Sequence, residues 1–146
     1  MHQYHCKIVR VVDGDTADVD IDLGFGVWML KQRIRFYGVD TPESRTSDAE
    51  EKKYGKAASA FVQHYLPEGS SQKLITVKDG KGKYGRILGR FALDDPKTEC
   101  DFLDELMIEK HHAVAYYGQS KEEIAEKHIE NRQYITLLKK PLEGSM

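Results

Sequence analysis

Hydrophobic and polar positions divide the chain into an early region of strands and a later region of mixed elements. Ile8 to Val12 is a β-branched run closed by Asp13-Gly14. Ala17, Val19, Ile21 and Leu23 then alternate with Asp18, Asp20 and Asp22, the period of a strand with one buried face. Gly24-Phe25-Gly26 supplies a turn, and Val27 to Val39 reads as a third, long strand. The three strands are expected to form a meander.

The period changes after Pro42. Tyr54, Ala57, Ala58, Phe61, Val62 and Tyr65 make one apolar helical stripe, which Pro67 and Gly69 end. Lys73 to Lys78 and Arg86 to Leu93 read as two more strands around the loop Asp79 to Gly85. Phe102, Leu103, Leu106 and Met107 predict a short second helix. A third starts at the capping-box spacing of Ser120 and Glu123 and runs toward Leu138. Five strands, with one helix inserted after the third and others at the end, predict an α+β, mainly β domain. Its form is a five-stranded Greek-key barrel with about three helices, occupying residues 1–140, and residues 141–146 read as a frayed tail.

Composition agrees with one folded domain. The 146 residues are 40% hydrophobic, enough for a sizeable core. No apolar run has the length needed to cross a bilayer, and Met1 to His5 lack the pattern of a secretory leader. A monomer working inside the cell that makes it, without a membrane partner, is the resulting expectation. Cys6 and Cys100 are too few for a disulfide framework and match no zinc pattern, and the histidines form no helical ligand pair.

The net charge of −2 argues weakly against nucleic-acid binding, but the charge is unevenly spread. Between Ser70 and Arg90 six basic residues face Asp79 alone, whereas Leu93 to Lys110 holds seven acidic ones against Lys97 and Lys110. A basic stretch on an acidic chain can attract phosphate locally, and it can equally be a solvated loop.

Four short motifs carry candidate chemistry. Asp13-Gly14-Asp15-Thr16 lies in the first turn, where Asp and Gly also serve the backbone. Val39-Asp40-Thr41-Pro42-Glu43 ends the third strand. A hairpin turning at Gly24 to Gly26 pairs Asp15 with about Arg35, or with a partner nearer Asp40 if the loop is longer. Either register gathers Asp15, Arg35 and Asp40 at one end of the meander. There Arg35 could neutralise the aspartates or grip a phosphate with its planar fork. Lys83-Tyr84-Gly85-Arg86 offers two cations and an aromatic, and Tyr116 and Tyr117 could stack on a base.

Together, in this order, the motifs resemble the staphylococcal nuclease family. The likeness rests on D-G-D-T, on R-x-x-x-x-D-T-P-E from Arg35, on Y-G-x-x-A-S-x-F from Tyr54 to Phe61 and on K-Y-G-R, and runs from about Val11 to Tyr117. It implies an oligonucleotide-binding barrel that cuts DNA and RNA with Ca²⁺, leaving 3′-phosphate ends and favouring single-stranded or flexible regions. Asp15, Asp40 and the Thr41 carbonyl match the metal ligands. Glu43 matches the residue that activates or orients water, and Arg35 and Arg86 match the phosphate clamp. Lys83, Tyr84 and Tyr116 match nucleotide-binding positions. The chain departs from the family's basic members in its acidic balance, and in Asp48, Glu50 and Glu51 beside the expected substrate path. A barrel that binds nucleic acid or protein without cutting is the alternative; a structural barrel whose charges only pair with one another ranks last.

Overall fold

The computed structural model describes residues 2–77 and 86–137. Strand β1 (His2–Asp13) pairs antiparallel with β2 (Thr16–Gly24), and β2 with β3 (Val27–Phe36), giving the expected meander. Helix α1 (Ala49–Tyr65) follows, then β5 (Ser71–Thr76) and β6 (Ile87–Phe91). β6 runs parallel to β3 and antiparallel to β5, while β5 pairs with β1 and closes the five strands into a barrel. Among the described residues three α-helices accompany the sheet, so the domain is α+β and mainly β, as expected.

Alternation along β2 fills the interior. Ala17, Val19 and Ile21 are buried, while Asp18, Asp20 and Asp22 point outward. Ile8, Ile34, Phe36, Leu74, Ile87 and Phe91 complete the barrel core, with Phe36 and Phe91 meeting edge to face. Gly89 leaves room for the packed interior, because a Cβ there would lie 2.8 Å from Leu74 Cδ1 and 3.3 Å from Ile34 Cγ2. Helix α1 covers one opening through Ala58, Val62 and the following Leu66. The opposite tip, from Leu23 to Leu30, exposes Leu23, Phe25, Val27, Trp28, Met29 and Leu30.

Several boundaries differ from expectation, among them the start of β1 at His2 rather than Ile8, where pairing with β5 extends the strand. The third strand stops at Phe36, since Gly38 turns the chain with φ of +78°. Val39–Asp40 then forms a separate strand, β4, paired with β7 (Val114–Ala115). Helix α1 begins at Ala49, five residues before the apolar stripe, because the Asp48 side chain accepts from the amides of Glu50 and Glu51. Helix α3 (Lys121–Asn131) begins where the capping box requires, with Glu123 N donating to Ser120 Oγ, then tightens into a 3₁₀ turn at Arg132–Tyr134. The helix stops there, short of the expected run toward Leu138, because Ile135 turns to extended backbone; Leu138 itself and the tail 141–146 lie outside the described residues. The short helix α2 (Leu103–Glu109) buries Leu103, Leu106 and Met107. Cys6 and Cys100 are both free, and burial pushes the Cys6 thiol up to about 12. Among the described residues no helix is long and apolar enough to cross a membrane.

Candidate functional site

The tight register places Thr16 opposite Arg35, and the Phe36 amide donates to the Asp15 carbonyl at 2.9 Å. Asp15 and Arg35 therefore meet at the end of the β2–β3 ladder. Arg35 Nη2 lies 3.5 Å from Asp15 Oδ2 and 3.8 Å from Asp40 Oδ1, while its Nη1 donates to the Phe36 carbonyl. One guanidinium nitrogen thus faces two carboxylates, one from the turn between β1 and β2 and one from β4. Those distances describe ion contacts rather than close hydrogen bonds.

Neighbouring segments hold this arrangement. Asp15 Oδ1 accepts from the Thr16 hydroxyl at 3.0 Å, and Thr41 N approaches Asp15 Oδ2 at 3.4 Å. Gly14 is needed for a close approach: a Cβ there would lie 2.9 Å from Thr41 Oγ1 and 3.0 Å from the Ala58 methyl. Ser44 Oγ donates to Asp13 Oδ1 at 2.7 Å, tying the segment after Glu43 back to the first turn. The first turn, the Thr41–Ser44 segment and α1 are therefore packed as one unit.

Glu43 is exposed beside this unit. Its amide donates to Glu51 Oε2 at 3.1 Å. A Cβ on Gly55 would overlap the Glu43 carbonyl, so α1 can pass beneath this peptide only with glycine there. Asp48, Glu50 and Glu51, read from the sequence as acidic residues beside a substrate path, have structural work here as the N-cap and first turn of α1.

The site is electrostatically loaded. Burial pushes the Asp15 carboxyl above its ordinary value; Arg35 and the Thr16 hydroxyl oppose this, and the charges of Asp13 and Asp40 reinforce it. Glu43 is raised too, first by partial desolvation and then by Asp13, Asp15, Asp40 and Glu51. The negative charges of Asp13 and Asp40 act on both Asp15 and Glu43, and such a gathering of carboxylates favours a cation among them. Among the described residues no group of three or more His, Cys, Asp or Glu side chains is arranged to hold a metal. The expected set is of another kind, two carboxylates and the carbonyl of buried Thr41, and its all-oxygen chemistry fits a hard cation such as Ca²⁺.

Arg86 immediately precedes β6 and is half-buried; Leu88, two residues on, is the register partner of Arg35. Tyr116 is exposed and its amide donates to the Gly38 carbonyl, which sets it beside β4. Lys83 and Tyr84 lie outside the described residues. The structure brings Asp15, Arg35, Asp40 and Thr41 together, and sets Glu43 next to them.

One neighbour escapes sequence reading. His128 of α3 donates from Nε2 to Asp40 Oδ2 at 2.8 Å, although 88 residues separate the two. No local spacing in the chain signals that contact.

Comparison with known proteins gives a match between residues 33–136 and a family model described as staphylococcal nuclease homologue. The match extends beyond Tyr117 through α3. A thermonuclease of Staphylococcus hyicus is 39% identical over 82 residues, 56% of this chain and 44% of that protein. A thermonuclease of Staphylococcus intermedius is 38% identical over 88 residues, 60% of this chain and 48% of that protein. Endonuclease YhcR of Bacillus subtilis is 34% identical over 96 residues, 60% of this chain but 7% of that protein. The chain thus spans less than half the length of these relatives.

Proposed function

The chain belongs to the staphylococcal nuclease family, and on that premise we propose that it is a calcium-dependent nuclease. It hydrolyses phosphodiester bonds of DNA and RNA with little sequence preference and leaves 3′-phosphate ends. The barrel is the oligonucleotide-binding Greek-key fold, and the protein acts as a monomer on single-stranded or flexible regions inside the cell. The observation that carries this reading is the meeting of Asp15 and Asp40 at a single Arg35 guanidinium nitrogen.

Asp15, Asp40 and the Thr41 carbonyl would hold the ion. When bound, Ca²⁺ neutralises phosphate charge and helps orient water. The remaining work falls to the chain's own groups. Glu43, exposed next to the acidic pair, accepts a proton from the attacking water; its raised pKa makes it a stronger base than an ordinary glutamate. Arg35 offers its fork to the non-bridging phosphate oxygens, whose charge grows in the five-coordinate transition state. Arg86 contributes a second guanidinium from the threshold of β6. As the P–O5′ bond breaks, the leaving oxygen takes its proton from solvent water, since arginine is a poor acid at neutral pH. Lys83 and Tyr84 engage the nucleotide's terminal phosphate, and Tyr116 stacks on a base.

The test is incubation of the purified protein with single-stranded DNA and RNA in Ca²⁺, in Mg²⁺ and in chelator, with the product ends mapped. Cleavage that needs Ca²⁺ and leaves 3′-phosphates is the expected result. Binding without cleavage under every condition would replace the enzyme with a nucleic-acid-binding module.

A further inference from the structure

We infer that His128 is a positioning residue for Asp40, fixing which carboxylate oxygen is turned toward the ion-binding side of the site. This inference rests on the metal reading above and adds a part of the chain that the motif set does not include.

Helix α3 buries no residue. Most of its side chains are exposed, whereas the His128 side chain is only 11% exposed and ends on Asp40. Asp40 lies in a two-residue strand at the barrel mouth, and its own side chain is 32% exposed. An aspartate so placed can turn about two side-chain bonds. Arg35, 3.8 Å from Oδ1, attracts the carboxylate without fixing its direction. His128 supplies that direction: its 2.8 Å hydrogen bond takes Oδ2 and leaves Oδ1 toward Arg35, the group that Asp15 Oδ2 also faces. Groups that hydrogen-bond a metal-binding carboxylate orient it, and their loss weakens metal affinity about 10- to 100-fold.

Anchoring is shared around the histidine. Asn131 Nδ2 donates to the Ala113 carbonyl at 3.5 Å, one turn along α3, and β7 beside it pairs with β4 through Val114 and Asp40. The helix thus reaches the strand bearing Asp40 directly through the His128 side chain and indirectly through Asn131, Ala113 and the β7–β4 ladder. Because coupling between sites is reciprocal, ion binding should in turn hold α3 against the barrel.

The experiment is a calorimetric Ca²⁺ titration of the parent protein, His128→Ala, His128→Gln, His128→Asn and Asp40→Asn, with the melting temperature of each metal-free protein measured alongside. His128→Ala is expected to weaken Ca²⁺ binding about 10-fold or more. Glutamine, whose terminal amide reaches as far as Nε2, should restore most of that loss. Asparagine, one methylene shorter, should not. The glutamine–asparagine pair keeps the question answerable if the alanine variant fails to fold. A purely structural histidine would lower the melting temperatures and leave the Ca²⁺ affinities of the folded variants equal. That equality, with Asp40→Asn losing the ion, would overturn the inference alone. A parent protein that does not bind Ca²⁺ would overturn both the inference and the metal reading.

Discussion

Arg35 stands 3.5 Å from the Asp15 carboxylate, yet Asp15 keeps its proton more tightly in the fold than in the unfolded chain. The cost of burial, with two further carboxylates nearby, outweighs the pull of one arginine. A carboxyl raised in this way contributes unfavourably at neutral pH, and folding stability should rise as pH falls through its folded value.

Asp15→Asn removes the charge and keeps one of the two oxygens, so either the Thr16 hydroxyl or the more distant Thr41 amide retains its acceptor. In chelator it is expected to raise stability by on the order of 1 kcal/mol, read as a higher urea midpoint at pH 7. The same change should lower cleavage by about 100-fold or more. A lower midpoint would show that the Arg35 pairing dominates the balance.

Arg35→Lys keeps the positive charge between Asp15 and Asp40 but loses the planar fork. Stability should move by less than about 1 kcal/mol, while kcat/KM falls about 100- to 1000-fold. Equal activity in the lysine variant would reduce Arg35 to a neutralising charge. Urea denaturation and steady-state cleavage of a short DNA separate the two outcomes.

Gly55→Ala sets helix preference against contact. Alanine improves an exposed helix interior by about 1 kcal/mol, but this glycine is buried and its added methyl would overlap the Glu43 carbonyl. We expect a net loss of about 1–3 kcal/mol and a drop in activity larger than that loss of stability explains, as Glu43 is displaced. A stabilised, fully active variant would mean the Thr41–Ser44 segment yields freely.

Asp18 gives the opposite pH behaviour from Asp15. Hydrogen bonds from Arg33 hold it below the ordinary carboxylate value against some burial, and Arg10 adds to the effect. Its contribution is present above the unfolded value of 3.8 and is lost as pH falls through the lower folded value. Arg10 and Arg33 are 53% and 44% exposed, so Asp18→Asn should cost less than about 1 kcal/mol at pH 7, and less again in high salt. Urea midpoints at pH 7 and pH 3, at two ionic strengths, check the sign.

The meander was readable because Asp18, Asp20 and Asp22 alternate with buried apolar residues; each residue reports its own face. The meeting of Asp15 and Arg35 was legible to within one residue under either register of the Gly24 to Gly26 turn, and the ladder, which pairs Thr16 with Arg35, selects the tight one. Val39–Asp40 resembled a strand continuation because its separation depends on the bend at Gly38 and on a partner, Val114–Ala115, some 75 positions away. The early start of α1 had a local sign in Asp48-Ala49-Glu50-Glu51, a cap followed by acids, which the apolar stripe alone did not include. His128 had no such sign, because its meaning comes wholly from where α3 lands.

Barrel closure joins His2–Lys7 to Ser71–Thr76, and β3 gains its parallel neighbour only at Ile87–Gly89. During synthesis at about 5–20 residues per second, Asp13, Asp15, Asp40 and Glu43 therefore emerge several seconds before β6 can dock on β3. A nascent chain carries mutually repelling acids before it carries the strands that order them, and α3 arrives later still. A product stalled before Ile87 inherits the repulsion without the closed barrel, which makes the interval between Glu43 and Phe91 the stretch of translation where this protein depends most on its surroundings.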